Sequence, residues 1–181
     1  MRKMHSPLVS ASFSAMMAAL SIVLCRYLGF SPPDSMLRIE IGFFPIALVG
    51  ALLGPLWGAA AYGTADLVGS LLTTGMNPLI LACKVLTGAL FGFLPRHRGQ
   101  TSTERIVALF RVVFVMLTVG VVIDVALMSG VFVLYGYAPT YFSAMLTRLF
   151  NAAVNLPIRI LLYLLTLYAS ESAIKRLERS L

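Results

Sequence analysis

Charge is what this sequence has least of. Charged residues make up 12% of the 181 positions and apolar types 59%, with a mean hydropathy of +0.91. A chain of this composition has too little polar surface to cover a water-soluble globule, so it reads as an integral membrane protein. Lysine occurs only at positions 3, 84 and 175; no GxxxxGKS/T phosphate loop is present, and ATP hydrolysis by that route is excluded. The only histidines are His5 and His97, and neither HExxH nor GxSxG occurs, which leaves zinc-protease and serine-histidine chemistry without residues. Cys25 and Cys83 stand alone in apolar runs with no metal-ligand spacing, as packing residues do. No cofactor and no metal are expected.

What the sequence does have is long apolar runs. About 20 apolar residues cross a hydrocarbon core of about 30 Å as a helix, and continuous runs rather than short alternating ones favour helices over a closed barrel. The pattern predicts an all-α polytopic bundle of six transmembrane helices in one domain over residues 1–181. The spans are Leu8 to Gly29, Arg38 to Leu53, Trp57 to Leu71, Pro78 to Leu94, Ile106 to Tyr135 and Tyr141 to Tyr168. Turn chemistry marks the breaks: "FSPPD", "GPLWG", "TTGMNP", "PRHRGQTSTE" and "YGYAP". The second and third spans are short for a crossing, the fifth and sixth exceed one, and "GPLWG" is tight enough to force an antiparallel pair.

Basic residues sort to one side. "MRKMH", "RHRGQTSTER" and "IKRLER" fall together in a six-span arrangement, whereas "SPPDSM", "TTGMN" and "YGYAPT" hold no Lys or Arg. The positive-inside rule then puts both termini in the cytoplasm. The net charge of +7 is topological, and no basic patch with interleaved aromatics points to nucleic acid. The first apolar run is long, lacks a small-residue cleavage site and reads as a retained helix rather than a signal peptide.

Several ionisable residues nevertheless fall inside the spans, where an isolated charge costs a few kcal/mol and must face a partner, a cavity or a ligand. Arg26, Asp124 and Arg148 lie toward the outer half, and Arg38 and Glu40 head the second span. The last two either snorkel to headgroups or form a polar mouth. Two residues apart on a helix, they point about 200° away from each other. Asp66 and Lys84 either pair with each other or contact a ligand. Arg159 and Arg111 sit toward the inner side and read as structural or cytoplasmic contacts. In "ASFSAMMAALS", Ala11, Ala15 and Ala19 recur every fourth residue as one smooth ridge. Small residues let membrane helices approach closely, either within the chain or against another one. Gly50, Gly54 and Gly58, and Ala61, Ala65 and Gly69, form similar rows suited to internal packing.

Three segments carry a resemblance over nearly the whole chain: "AALSIVLCRYLGF", "LRIEIGFFPIALVGALLGPLWGAAAYGTADLVGSLL" and "VLYGYAPTYFSAMLTRLFNAAVNLPIRILLYLL". Together they resemble the substrate-binding S component of energy-coupling factor (ECF) vitamin transporters, with the folate branch the nearest. The resemblance implies a six-helix protein that captures a vitamin, folate in that branch, and docks on a transmembrane coupling subunit carrying two ATPases. It would then topple in the membrane to deliver its cargo. By this resemblance Ala11, Ala15 and Ala19 contact the coupling subunit, and Arg26 and Arg148 match family positions suited to ligand carboxylates. Chemistry adds Arg38 and Lys84 as further cations, Phe43, Phe44, Tyr135 and Tyr141 as stacking surfaces, and Asp66 or Asp124 as acceptor for a pterin. Glu40 and Lys84 depart from the folate pattern and would shift specificity toward another anionic vitamin or precursor. Two other classes remain open: a stand-alone ion-coupled carrier with Asp66, Asp124 and Lys84 as relay, for which no internal repeat is found, and an intramembrane enzyme, for which no motif is found.

Overall fold

A computed structural model describes residues 7–27, 41–72, 75–96 and 101–180, with the side chains of 26, 27 and 169–180 left aside. Among the described residues there are six helices and no strand: α1 (Pro7–Tyr27), α2 (Phe43–Leu53), α3 (Pro55–Leu71), α4 (Pro78–Phe91), α5 (Ser102–Leu134) and α6 (Tyr141–Ser180). Each falls on one of the six apolar runs. The heads of the helices carry their own start signals. Pro55 and Pro78 open α3 and α4, where a missing N–H costs nothing. Asn77 Oδ1 accepts from the Leu79 and Ile80 amides at 3.2 and 3.3 Å. A capping box between Thr101 and Glu104 starts α5 one turn earlier than hydropathy alone indicates, because the cap is polar.

The helices differ in reach. At about 1.5 Å per residue, α5 with its 33 residues is about 50 Å long, and the 11 residues of α2 reach only about 16 Å. The short helix is the centre of the packing. Phe43, Ile46, Ala47 and Val49 of α2 are all buried, against Phe91 of α4, Val112 and Met116 of α5, and Tyr163 of α6. A segment buried on nearly all sides has no lipid face, so it need not span the bilayer. Large apolar side chains elsewhere point outward, among them Leu8, Leu56, Phe110 and Leu134, as lipid-facing residues do.

Two glycine contacts set the geometry of α2 to α4. Gly54 has a φ of 102° and reverses the chain between α2 and α3 in a single residue. Farther along, α3 and α4 meet backbone to backbone: a Cβ on Gly88 would lie 2.2 Å from the Gly58 carbonyl oxygen. At the same end, Arg96 Nε donates to the Ala51 carbonyl at 2.7 Å, and Tyr163 Oη donates to the Pro95 carbonyl at 2.8 Å. The first satisfies a carbonyl left over where α2 stops, and the second ties α6 to the segment that follows α4.

The ten residues Thr118–Leu127 of α5 are π-helical. Wider turns of this kind are rare and alter which way each side chain faces. Asp124 lies inside the segment. On α1, the buried stripe is Ser10, Ser14, Ala18 and Ser21, while Ala11, Ala15 and Ala19 are exposed. The alanine ridge therefore packs against no other described helix of this chain.

Candidate functional site

A cavity of about 910 Å³ opens between α1, α3, α4, α5 and α6, within the size range of small-molecule sites of about 300–1,000 Å³. Its most polar wall is α6. Thr147, Arg148, Asn151, Asn155 and Arg159 recur at helical spacing and all line the cavity. Arg148 and Arg159 stand three turns, or about 16 Å, apart on that face. Gly75, Tyr137 and Pro139 line it from the α3–α4 and α5–α6 connections, the end termed its mouth, and Ser21, Tyr62, Asp124 and Arg159 line it from within the helices, the part termed its floor.

Asp124 joins the two arginines. Its Oδ2 accepts from Arg159 Nη1 at 2.5 Å, and its main-chain carbonyl accepts from Arg148 Nη1 at 3.3 Å. The guanidinium groups also lie over rings, Arg148 at 4.0 Å from the Phe132 centroid and Arg159 at 5.5 Å from Phe43. A weakly hydrated planar cation on an aromatic face tolerates desolvation better than an ammonium. On the opposite wall, Lys84 Nζ sits 5.3 Å from the Tyr62 ring, and that ring stacks on Phe91 at 6.3 Å. Ser21 Oγ donates to the Gly42 carbonyl at 2.6 Å and ties the segment entering α2 to α1 beside the floor.

Of the residues singled out from sequence, Asp66, Lys84, Asp124 and Arg148 meet at this cavity. Arg38 and Glu40 lie outside the described residues, as does the side chain of Arg26. Phe43 does not line the cavity: it is 1% exposed and belongs to the core. Phe44 packs beside it, 6.5 Å away edge-on. The reason is the central position of α2, which turns its aromatics toward the other helices. Tyr135 is exposed and stacks on Tyr137 at 6.2 Å; Tyr141 is exposed and donates to the Ala126 carbonyl at 3.2 Å. Neither of these two tyrosines lines the cavity, whereas Tyr62, Phe132 and Tyr137 do.

Arg159 is the residue sequence reasoning left out of the site. Its depth in the last span suggests a structural or cytoplasmic role, and the structure shows it buried, paired with an acid and on the cavity lining as well. The signal was present in "TRLFNAAVNLPIR", where arginines and asparagines fall on one helical face. Among the described residues the lining charges are three cations, Lys84, Arg148 and Arg159, against the two carboxylates Asp66 and Asp124. Such a cavity suits a polar ligand that is anionic overall and carries hydrogen-bond donors.

A family model described as "ECF transporter, substrate-specific component" matches residues 12–167. The solved structure titled "Crystal structure of FolT bound with folic acid" is similar over 84% of this chain and 87% of that one, at 25% identity and a TM-score of 0.66. A second, "Structure and mechanism of the S component of a bacterial ECF transporter", shares the fold over 87% of this chain and 95% of that one, at 18% identity and a TM-score of 0.56. No curated protein sequence matches. With six helices around a polar intramembrane cavity and a family match running through all of them, the chain belongs to the substrate-specific components of ECF transporters.

Proposed function

We propose that this protein is the folate-capturing subunit of an ECF importer. The observation that carries the reading is the α6 wall, where Arg148 and Arg159 meet Asp124 in a cavity large enough for a vitamin. Similarity to a structure whose title names folic acid supports the choice of vitamin. Folate carries a donor-rich flat ring system and a dicarboxylate tail, and the cavity offers acids, cations and aromatic faces to both. Lys84 and Arg148, with Arg26 and Arg38 as further candidates, give the site a positive potential that attracts the dianion. Phe132 and Tyr137 supply ring faces.

In this proposal the whole chain is one transmembrane unit with both termini in the cytoplasm and the mouth outside. The exposed ridge of Ala11, Ala15 and Ala19 is the docking surface for a transmembrane coupling subunit, since small side chains let two helices approach closely in lipid. ATP is hydrolysed by partner ATPases, in keeping with a sequence that has no phosphate loop. Toppling against the coupling subunit delivers the ligand.

The test is direct. The protein is purified alone in detergent, co-purifying small molecules are identified by mass spectrometry, and folate is titrated by calorimetry beside thiamine, riboflavin and biotin. Tight one-to-one folate binding without ATP is the expected result. Folded protein that ignores folate and holds another compound overturns the vitamin and keeps the family.

A further inference from the structure

We infer that Arg111, on the outer face of α5, binds the phosphodiester of an anionic phospholipid in the inner leaflet. The inference takes the orientation proposed above, with both termini cytoplasmic, and does not depend on which vitamin the cavity holds.

The surroundings of Arg111 are the first reason. Toward the bundle α5 buries Ala108, Val112, Val115 and Met116, and its outer face presents Ile106, Val107, Phe110, Phe114, Leu117 and Val121, all exposed. Arg111 is the single charged residue between positions 106 and 121. It is exposed on that same apolar face and makes no ion pair with another described residue. Val107 lies one turn below it and Phe114 one turn above. A cation set among lipid-facing side chains needs an anion or a polar layer at its own depth.

Depth is the second reason, and two rulers agree on it. Exposed Tyr135, Tyr137 and Tyr141 cluster where α5 passes into α6, as aromatic belts do at a membrane interface. From Leu134, a hydrocarbon core of about 30 Å takes about 20 residues at about 1.5 Å each and ends near Phe114; a tilt of about 20° adds about one residue. The second ruler is the inner end of the bundle. Phe91, the last residue of α4, shares a core with Val112 and Met116, and Arg96 already caps the end of α2. Both place Arg111 just beyond the hydrocarbon, within a headgroup layer of about 5–8 Å.

Chemistry selects the ligand. The planar guanidinium fork matches two phosphate oxygens, while Phe114, Leu117 and Val121 continue the same exposed face toward the bilayer centre and suit an acyl chain. Glu104, two turns nearer the cytoplasm, is held at the helix N-cap, where its Oε2 accepts from the Thr101 amide at 3.3 Å. The exposed cation therefore favours a lipid with net negative charge over a zwitterionic one.

The experiment offers the full-length protein in detergent an equimolar mixture of phosphatidylglycerol and phosphatidylcholine with matched acyl chains, and counts the lipids bound by native mass spectrometry. Wild type is expected to retain phosphatidylglycerol over phosphatidylcholine by about fivefold, the factor one basic residue contributes near an anionic surface. Arg111→Gln should bind the two lipids equally, and Arg111→Lys should keep part of the preference, since it preserves the charge and loses the fork. Arg105→Gln, about 120° away around the helix, should keep all of it. Thermal unfolding without added lipid establishes that each variant folds. Equal retention of both lipids by wild type overturns the inference, as does a preference that survives Arg111→Gln. Displacement of the bound lipid by inorganic phosphate would reassign the site to a free anion. An unchanged lipid ratio in Arg111→Gln together with impaired capture of the coupling subunit would make the face a protein contact instead. Failure to bind folate leaves each of these outcomes unaffected.

Discussion

The helices α2 to α4 and the pair α5 and α6 solve different problems with the same apolar alphabet. In the first group the helices are short and meet through glycine: Gly58 and Gly88 bring two backbones into contact, and Gly54 turns the chain in one residue. In the second the helices are long, α5 with a π-helical middle and α6 with a polar stripe facing the cavity. Close packing of small residues yields a rigid wall with few places to put a polar group. The long pair, by contrast, carries Asp124, Arg148 and Arg159 on surfaces turned toward one another. The first half holds shape and lends the cavity Tyr62, Asp66 and Lys84, while the second supplies most of its polar wall.

Substitutions can break that division. Gly88→Val should have the largest effect, since even a Cβ at that position falls 2.2 Å from the Gly58 carbonyl oxygen. Backbone cannot yield as a side chain tip can, so a cost of about 3 kcal/mol or more is expected. The check is the yield of monodisperse protein in detergent and its thermal midpoint; normal values for both would mean that α3 and α4 are not in backbone contact. Ala15→Leu comes next. It fills an exposed ridge and should leave ligand affinity intact while abolishing uptake by the assembled transporter, as vesicle transport assays would reveal.

Smaller effects sharpen the contrast. Arg148→Ala should weaken folate binding by about tenfold to a hundredfold, the range for a charge-assisted hydrogen bond, with little change in thermal midpoint because the residue lies on the cavity wall. Calorimetry and unfolding on the same sample separate the two, and a large stability loss with unchanged affinity would make Arg148 structural. Least affected should be Leu161→Ala, at an exposed position of α6; stability within about 0.5 kcal/mol of wild type is expected, and a larger drop would reveal a protein neighbour where lipid is assumed.

Much of this architecture was legible beforehand, for local reasons. Each apolar run became a helix because a backbone in hydrocarbon must satisfy its own hydrogen bonds, and Pro55, Pro78 and Asn77 mark starts that any reader of the chain can find. Asp66, Lys84, Asp124 and Arg148 were identifiable because charge inside a span needs a reason. The aromatics were less tractable. Phe43 and Tyr137 look equally suited to stacking, and only the central burial of α2 sends the first to the core. That Arg159 lines the cavity was not legible, because depth along one helix says nothing about what the neighbouring helix brings to the same level.

By itself, the sequence determined the medium, the number of helices, their approximate ends and the few residues that must justify a charge in lipid. All of these follow from hydropathy and from chemistry within a few residues. Tertiary structure decided which charges meet. Asp124 sits in a π-helical stretch, whose wider turns place side chains where the 3.6-residue period does not. Its partners come from α6, 24 and 35 residues away. A contact over that separation depends on how two helices lie against each other, which hydropathy along one chain does not encode.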